Sequence, residues 1–398
     1  MLLPFDRRAL APQTAELDAW RERLDRRAPL PRRWTGRLRS DLEAEAIAAS
    51  TSLEGIPVTV DDVRRILAGD PPPSVSAHDE ALVRGYREAM EFVLRRADDP
   101  SFEWNRELIV SVQDRVLAGR FEDGAGRLRT RSALVVRRDA GEVVFRPPPE
   151  GAVPGLVDEM CQVLSASDAH PAVVAAWAHV AMAAIHPFLD GNGRTARILA
   201  SLVMYRGGFR TRPFTTLEEW WGRHPTEYYA AFACLGETFD PGADVGPFVS
   251  EHVGAQISQV KSVDLRERTY RGVWTLLENV LLDAGLPDRL ATALWDAFFG
   301  RSVTAGYYRG MVDVSRATAT NDLRAGTARQ LLRAEGNTRG RQYVAGPALW
   351  EELTSRLRLD NPQEPGAARA VVVDELLDRL VEAGELPGRS PEQIALFG

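Results

Sequence analysis

The chain has few cysteines, almost no lysine and no long apolar run. Its only cysteines among 398 residues are Cys161 and Cys234, too few for a disulfide framework or a multi-cysteine metal site. Both stand in apolar helical surroundings, as buried thiols in a reducing compartment do. Lys261 is the only lysine, so nearly all positive charge is guanidinium, which we read as coding bias. The longest apolar stretch, around Val173–Ile185, is too short to span a bilayer and contains His179. The opening "MLLPFDRRAL" places its basic residues after a very short apolar run, the reverse of a secretory leader. A soluble, cytoplasmic protein with no membrane partner is expected. Internal repeats and long low-complexity runs are also missing. A formal net charge of −7 argues against a chain built wholly for nucleic acid, yet allows a local basic patch.

With 44% hydrophobic residues, the chain can bury cores without covalent staples, and its length suits two or three domains. The periodicity is mainly helical. Residues 1–37 are Arg- and Pro-rich and read as irregular, with one helix near Thr14–Arg26. "RSDLEAEAIAASTSLEG" reads as a helix that Ser40 caps and Gly55 ends. A second helix lies within "PVTVDDVRRILAG", a third over Ala77–Arg96 and a fourth over Trp104–Ala118. "LVV" at Leu134–Val136 and "EVVF" at Glu142–Phe145 predict a hairpin. Helices follow at Val153–Leu164, Pro171–Ile185 and Asn192–Tyr205. The middle one is apolar nearly all round and is expected to be central and buried. Beyond Phe248, helices run to about Leu282. A helix at Asp288–Phe299, another near Thr304–Val312, a turn at Asp313-Val314, a third helix from Ser315 and two short strands then make a winged helix-turn-helix pattern. One more helix, near Ala368–Ala383, and a loose tail complete the chain.

The chemistry concentrates in "HPFLDGNGRTAR", His186–Arg197. Pro187 forces the apolar helix to end, which holds His186 at its C-terminus. Gly191 and Gly193 permit tight backbone geometry and close approach by a ligand. The next helix starts here, so its free N–H groups and positive dipole end form an anion site. Arg194 and Arg197 are three apart and share a helix face, able to fork further phosphate oxygens. Asp190 is the hard oxygen ligand that Mg²⁺ bridging phosphates takes. His186 has the basicity to accept a proton from an incoming hydroxyl. Each feature alone is ordinary: a capping histidine, a turn, a solvated face. Together they point to nucleophilic attack on a nucleotide phosphate. The stretch is no P-loop, because GxxxxGK[ST] is absent, and no HExxH occurs. His179, seven residues before His186 on the same face, reads as a core histidine.

These residues resemble the Fic-domain signature HPFx[DE]GNGRxxR at every specified position, and the likeness extends over roughly residues 35–255. The resemblance implies a mainly α, Fic-type helical core with a small β-hairpin flap, followed here by the winged helix-turn-helix. It implies AMP transfer from ATP to a hydroxyl side chain (Tyr, Ser or Thr) of a target protein, releasing pyrophosphate, with self-modification. His186 would be the base and Asp190 the Mg²⁺ ligand. Gly191, Asn192 and Gly193, with the Asn192 side chain, would cradle phosphate. Arg194 would contact the β-phosphate and Arg197 the γ-phosphate. Arg129–Phe145 looks like the flap that aligns a target segment by strand pairing. Tyr228 and Tyr229, in "HPTEYYAAF", would border the adenine, or else be core aromatics. "STSLEG" resembles the inhibitory motif [S/T]xxxE[G/N], with Ser50 and Glu54 one helical turn apart and Gly55 behind them. The implied organisation is residues 1–100 as an N-terminal helical region with an inhibitory helix near 40–54, 101–255 as the Fic core, 256–285 as a connecting helix, 286–346 as the winged helix, and 347–398 as a last helix and tail. Arg309, Arg316, Arg324, Arg339 and Arg341 make the winged pattern basic, and its recognition helix would expose Arg316, Thr318, Thr320 and Asn321 to DNA. Other readings are a DNA-binding regulator with a nucleotide-sensing Fic core, a degenerate interaction module in place of the DNA-binding wing, and a de-AMPylating or other nucleotidyl-transferring relative. A homodimer is a further implication.

Overall fold

The computed structural model describes residues 2–6, 10–26, 32–137, 141–211, 214–337, 340–359 and 365–383. In chain order the elements are α1 (Ala11–Asp25), α2 (Arg32–Leu53), α3 (Val60–Leu67), α4 (Ala77–Ala97), α5 (Arg106–Val116), β1 (Val135–Arg137), β2 (Glu142–Phe145), α6 (Val153–Ala166), α7 (Pro171–Ile185), α8 (Asn192–Arg206), α9 (Leu217–Arg223) and α10 (Pro225–Ala231). They continue with α11 (Gly246–Ala284), α12 (Ala291–Phe298), β3 (Val303–Thr304), α13 (Ala305–Val312), α14 (Arg316–Ala328), β4 (Leu332–Glu335), β5 (Gln342–Ala345), α15 (Pro347–Arg356) and α16 (Pro365–Glu382). The chain divides into two compact units. The first gathers Met1–Pro29, Ser40–Val63 and Pro73–Lys261; the second gathers Leu30–Arg39, Arg64–Pro72 and Ser262–Gly398. Within the described residues no helix is long and apolar enough to cross a membrane.

The first unit is organised around α7. Pro171 at its first position and the His170 side chain, which accepts from the Ala172 N–H at 3.1 Å, start the helix. Alanines on every side let neighbours approach closely, and α8 packs along it. The amino-terminal residues are part of this core. Leu2 and Leu3 are buried, the Leu3 N–H donates to the Pro241 carbonyl at 2.7 Å, and the Leu3 carbonyl accepts from the Trp177 indole. Ser76 caps α4 and Asn105 caps α5 through their side chains. The two helices meet at Gly85, where an added Cβ would lie 2.3 Å from the Arg115 carbonyl oxygen. Strands β1 and β2 form an antiparallel hairpin with a register irregularity between Val135 and Val136.

In the second unit, α12, α13 and α14 accompany an antiparallel sheet of order β3-β5-β4, a winged-helix arrangement. Thr304 caps α13 and Ser315 caps α14, while Asp313 takes the left-handed conformation between them (φ 48°). Buried Asp322 of α14 receives both the Arg289 guanidinium, at 2.7 and 2.9 Å, and the Tyr308 hydroxyl, at 3.0 Å. That carboxylate fixes the rotation of α14, leaving Arg316, Asn321 and Arg324 exposed.

The structure corrects several expectations. Residues 32–37 are helical, because no proline follows Pro31 to stop α2. The chain before Glu382 holds α15 as well as α16: "PALWEELTSR" has proline at N1 and apolar Leu349, Trp350 and Leu353 on one buried face. The wing hairpin gains a third strand, β3, too short to register as a strand in sequence. Thr318 and Thr320 are not free for recognition. The Thr318 hydroxyl lies 2.8 Å from that of Ser315, and Thr320 donates to the Arg316 carbonyl. Cys234 is only partly buried, whereas Cys161 is buried. Arg339, the flap tip at 138–140 and the tail from 384 lie outside the described residues.

The Gly85 crossing gives a direct test. Gly85→Ala should lower thermal stability by about 1–3 kcal/mol, because the methyl group meets backbone and not a yielding side chain. An unchanged melting temperature would show that the two helices do not approach this closely.

Candidate active site

The turn after α7 is built so that His186 can project from a rigid base. His186 closes the helix in the left-handed conformation (φ 46°), its N–H bonded to the Met182 carbonyl at 3.0 Å. Such a conformation is costly for a non-glycine residue and persists only where surroundings fix it. Three side chains do so. Asn192 accepts from the Phe188 N–H at 3.0 Å and donates to the Phe188 carbonyl at 2.9 Å, clipping the loop shut. Gln113, fully buried, donates to the Asp190 carbonyl and accepts from the Gly126 N–H. Arg129 donates to the His186 carbonyl at 2.8 Å and to the Pro148 carbonyl at 2.5 Å, while its own N–H bonds to Pro187 O. Both roots of the hairpin are thereby tied to the turn. The sequence reading overlooked Gln113 and Arg129, and it assigned the Asn192 side chain to phosphate; that amide is already engaged on both sides by Phe188.

Burial pushes the His186 pKa down to about 4, helped by the nearby Arg129 charge and opposed by Ala183, Glu54 and Asp190. The imidazole is therefore neutral and able to accept a proton. Like Leu189 beside it, Asp190 is exposed. Its Oδ1 accepts from the Gly191 N–H at 2.6 Å and lies 3.5 Å from Arg194 Nη2. The described residues contain no group of three metal-ligating side chains. A lone carboxylate at the mouth of an anion site suits a hard divalent cation that draws its remaining ligands from phosphate and water.

Helix α8 begins at Gly191 (φ 83°), and its first N–H groups have no acceptor within the helix. A carboxylate stands over them. Glu54 Oε1 lies 2.9 Å from Arg197 Nη2 and would be 2.3 Å from a Cβ on Gly193. The end of α2 sets that position. The Gly55 N–H bonds to Ser52 O, the Ile56 N–H bonds to Thr51 O, and Gly55 is left-handed (φ 74°), which together form a Schellman cap with Glu54 at the C-cap position just after Leu53. Ser50, one turn earlier, faces the same way.

Arg197 is buried and fully engaged. Nε donates to Ser50 Oγ, Nη2 to the Ser50 carbonyl and Glu54, and Nη1 to the Tyr228 hydroxyl, all at 2.9–3.0 Å. Burial works against its charge, but Tyr228, Glu54 and Tyr86 hold its pKa above the ordinary guanidinium value. Arg194 is equally buried and donates to the Val116 carbonyl at 3.2 Å; burial lowers its pKa.

The two tyrosines part company. Tyr228 is a core aromatic behind Arg197, its hydroxyl 3.1 Å from His179 Nε2 and its pKa raised to about 12 by burial. This corrects the expectation that it borders a base. Tyr229 is exposed, and its hydroxyl donates to the Leu53 carbonyl at 2.6 Å, at the end of α2. His179 is a core residue, as expected, with its pKa well below the usual value through burial.

Residues 103–204 match the model of the Fic/DOC family. The chain is 30% identical over 224 residues to Protein adenylyltransferase Fic of Nematostella vectensis, covering 52% of this chain and 51% of that one. It is 32% identical over 170 residues to Protein adenylyltransferase fic-1 of Caenorhabditis elegans, covering 40% and 31%. The match thus spans about half or less of these curated relatives. Among solved structures, a Fic family protein from Desulfovibrio desulfuricans superposes with a TM-score of 0.55 at 21% identity, over 87% of this chain and 98% of that one, a likeness of fold. The clipped turn and the helix start behind it both fall within residues 103–204, the stretch that matches the Fic/DOC family model.

Proposed function

We propose that the chain is a self-inhibited protein adenylyltransferase. The observation that carries this reading is the Glu54 carboxylate seated over the start of α8 and paired with Arg197: an anion site complete enough to be filled by the chain's own anion. ATP is the proposed substrate. Its phosphates would take the place of that carboxylate, with Arg197 on the γ-phosphate and Arg194 on the β-phosphate. Mg²⁺, held by Asp190, would neutralise phosphate charge as it develops. His186 removes the proton of a target hydroxyl; that oxygen bonds to the α-phosphorus, the bond to the β-phosphate oxygen breaks, and pyrophosphate leaves. The target segment would run along the flap whose roots Arg129 fixes. While Glu54 holds Arg197, ATP phosphates lie out of line for attack.

A second activity concerns the other unit. Arg316, Asn321 and Arg324 on the exposed face of α14, with exposed Arg309 and Arg341, support DNA binding by the winged helix.

Four outcomes are expected. Glu54→Gly should raise AMP transfer, self-modification included, by at least tenfold in a labelled-ATP assay, since one anion competing for the site is removed. Equal labelling by wild type and variant would return Glu54 to an ordinary helix-end carboxylate. His186→Ala in that background should remove transfer by about 10²–10⁴-fold while ATP still binds with Mg²⁺. Because the His186 pKa lies near 4, below the ordinary histidine value, kcat/KM of Glu54→Gly should stay flat down to about pH 5 instead of falling near 6.5. An acid limb at 6.5 would contradict a buried neutral base. For the winged helix, duplex affinity should fall with salt at a log–log slope of about −0.9 per phosphate contact, and Arg316→Ala with Arg324→Ala should reduce that slope by up to about two contacts. No duplex binding at low salt would favour the interaction-module reading.

A further inference from the structure

A second carboxylate lies behind Arg197, on the side away from the helix start. Glu218 of α9 is 2% exposed. Its Oε1 accepts from the Tyr86 hydroxyl at 2.6 Å, and Tyr86 is itself 1% exposed. The Ser50 hydroxyl accepts from Arg197 Nε at 2.9 Å. Burial and the Glu218 charge raise the Tyr86 pKa, and the Arg197 charge and Ser50 pull it back. Arg197 donates to Ser50 and Tyr86 donates to Glu218, and the charges of Arg197 and Glu218 both act on the phenol of Tyr86. Burial raises the Glu218 pKa, and the Tyr86 bond and the Arg197 charge pull it back. Glu218 Oε2 has no hydrogen-bond partner and borders a small cavity lined by Arg197, Trp221, His179, His252 and Gln256, where the Trp221 indole N–H and both His252 nitrogens are likewise unbonded.

Packing alone does not account for this arrangement. A buried carboxylate with one donor is costly, and an apolar residue would fill the space between α4 and α9 without that cost. A charge is retained where it offsets another. Arg197 is the buried cation in question, and its direct partner, Glu54, sits on a helix end that must release it for an external anion to enter. A lone buried guanidinium would be left at that moment.

We propose that Glu218, held by Tyr86 beside the cavity that Arg197 also lines, is a built-in counter-charge to Arg197 that sets how tightly this arginine holds any anion, Glu54 included. Glu218 is a positioning residue, since it touches neither nucleotide nor target. It lets Glu54 leave without stranding the guanidinium, and it weakens the grip on the incoming phosphate so that the product anion can also depart. The inference rests on the reading of Arg197 as an anion-binding arginine.

The sign of one measurement tests it. In the full-length Glu54→Gln protein, inorganic tripolyphosphate is titrated by calorimetry with and without Glu218→Gln. Glutamine keeps an acceptor for Tyr86 and removes the charge. Tripolyphosphate should bind about tenfold more tightly in the double variant, since the guanidinium it meets is less neutralised. A Glu218 that only packs would leave affinity unchanged or weaken it, and either result overturns the proposal, as does the absence of tripolyphosphate binding in both proteins. Tyr86→Phe is the second variant, for use if Glu218→Gln does not melt cooperatively. It leaves the buried carboxylate without its donor, drives it neutral and should tighten binding in the same sense. In melting experiments, Glu54→Gln and Glu218→Gln together should lower Tm by more than the sum of their separate effects, and tripolyphosphate should restore the loss; additive shifts count against the proposal. Failure of the gating reading is distinguishable. Tighter tripolyphosphate binding without any rise in transfer for Glu54→Gly would refute the gate and keep the counter-charge, and the opposite pattern would do the reverse.

Discussion

Arg197 is a cation that the fold has removed from water, and much of the first unit is arranged around that fact. A buried guanidinium is tolerated only when its donors are matched and its charge is offset. Here the donors reach α2 through Ser50 and Glu54 and α10 through Tyr228, and the charge reaches α4 and α9 through Tyr86 and Glu218. Four helices, α2, α4, α9 and α10, are thus oriented around one side chain on α8. The same side chain pairs with the Glu54 carboxylate, so on the proposed reading what holds these helices together and what would bind phosphate are the same group.

The turn that presents His186 follows another logic. Its backbone conformation is unfavourable in isolation, and it is kept by side-chain amides and a guanidinium bonded to main-chain atoms: Asn192 on Phe188, Gln113 on Asp190 and Arg129 on His186. These residues hold His186 rigidly. Because Arg129 also belongs to the flap, the surface that would align a target and the group that would deprotonate it share one anchor, and a displaced flap displaces the imidazole with it.

The pattern of the site was legible in sequence wherever the residues are neighbours. "HPFLDGNGRTAR" announces a histidine at a helix end, a carboxylate, a helix start and two arginines, because a turn and one helix dictate their mutual placement. "STSLEG" announces a helix end with Ser50 and Glu54 on one face. The apolar α7, bounded by Pro171 and Pro187, was equally readable. What sequence did not carry is chemistry assembled across long separations. Gln113, Arg129, Tyr86 and Glu218 look like ordinary surface or core positions until α4, α5, α8 and α9 meet. Tyr228 was ambiguous for the same reason: a tyrosine on a short helix serves a ligand or a core equally well, and only the burial of Arg197 decides. Elements with few residues, β3, α9 and α10, escaped because a single turn or two residues carry almost no periodicity.

Gly193 shows how narrow the design is. The space a side chain would need there is filled by the Glu54 carboxylate, 2.3 Å from where a Cβ would stand. Any ligand oxygen that reaches the same N–H groups must use that same gap. If phosphate replaces that carboxylate, as proposed, both occupants would impose one steric demand on one position, and a substitution at Gly193 would be felt by both. Separate tuning of silence and turnover has to come from residues beneath the arginine, out of reach of both occupants.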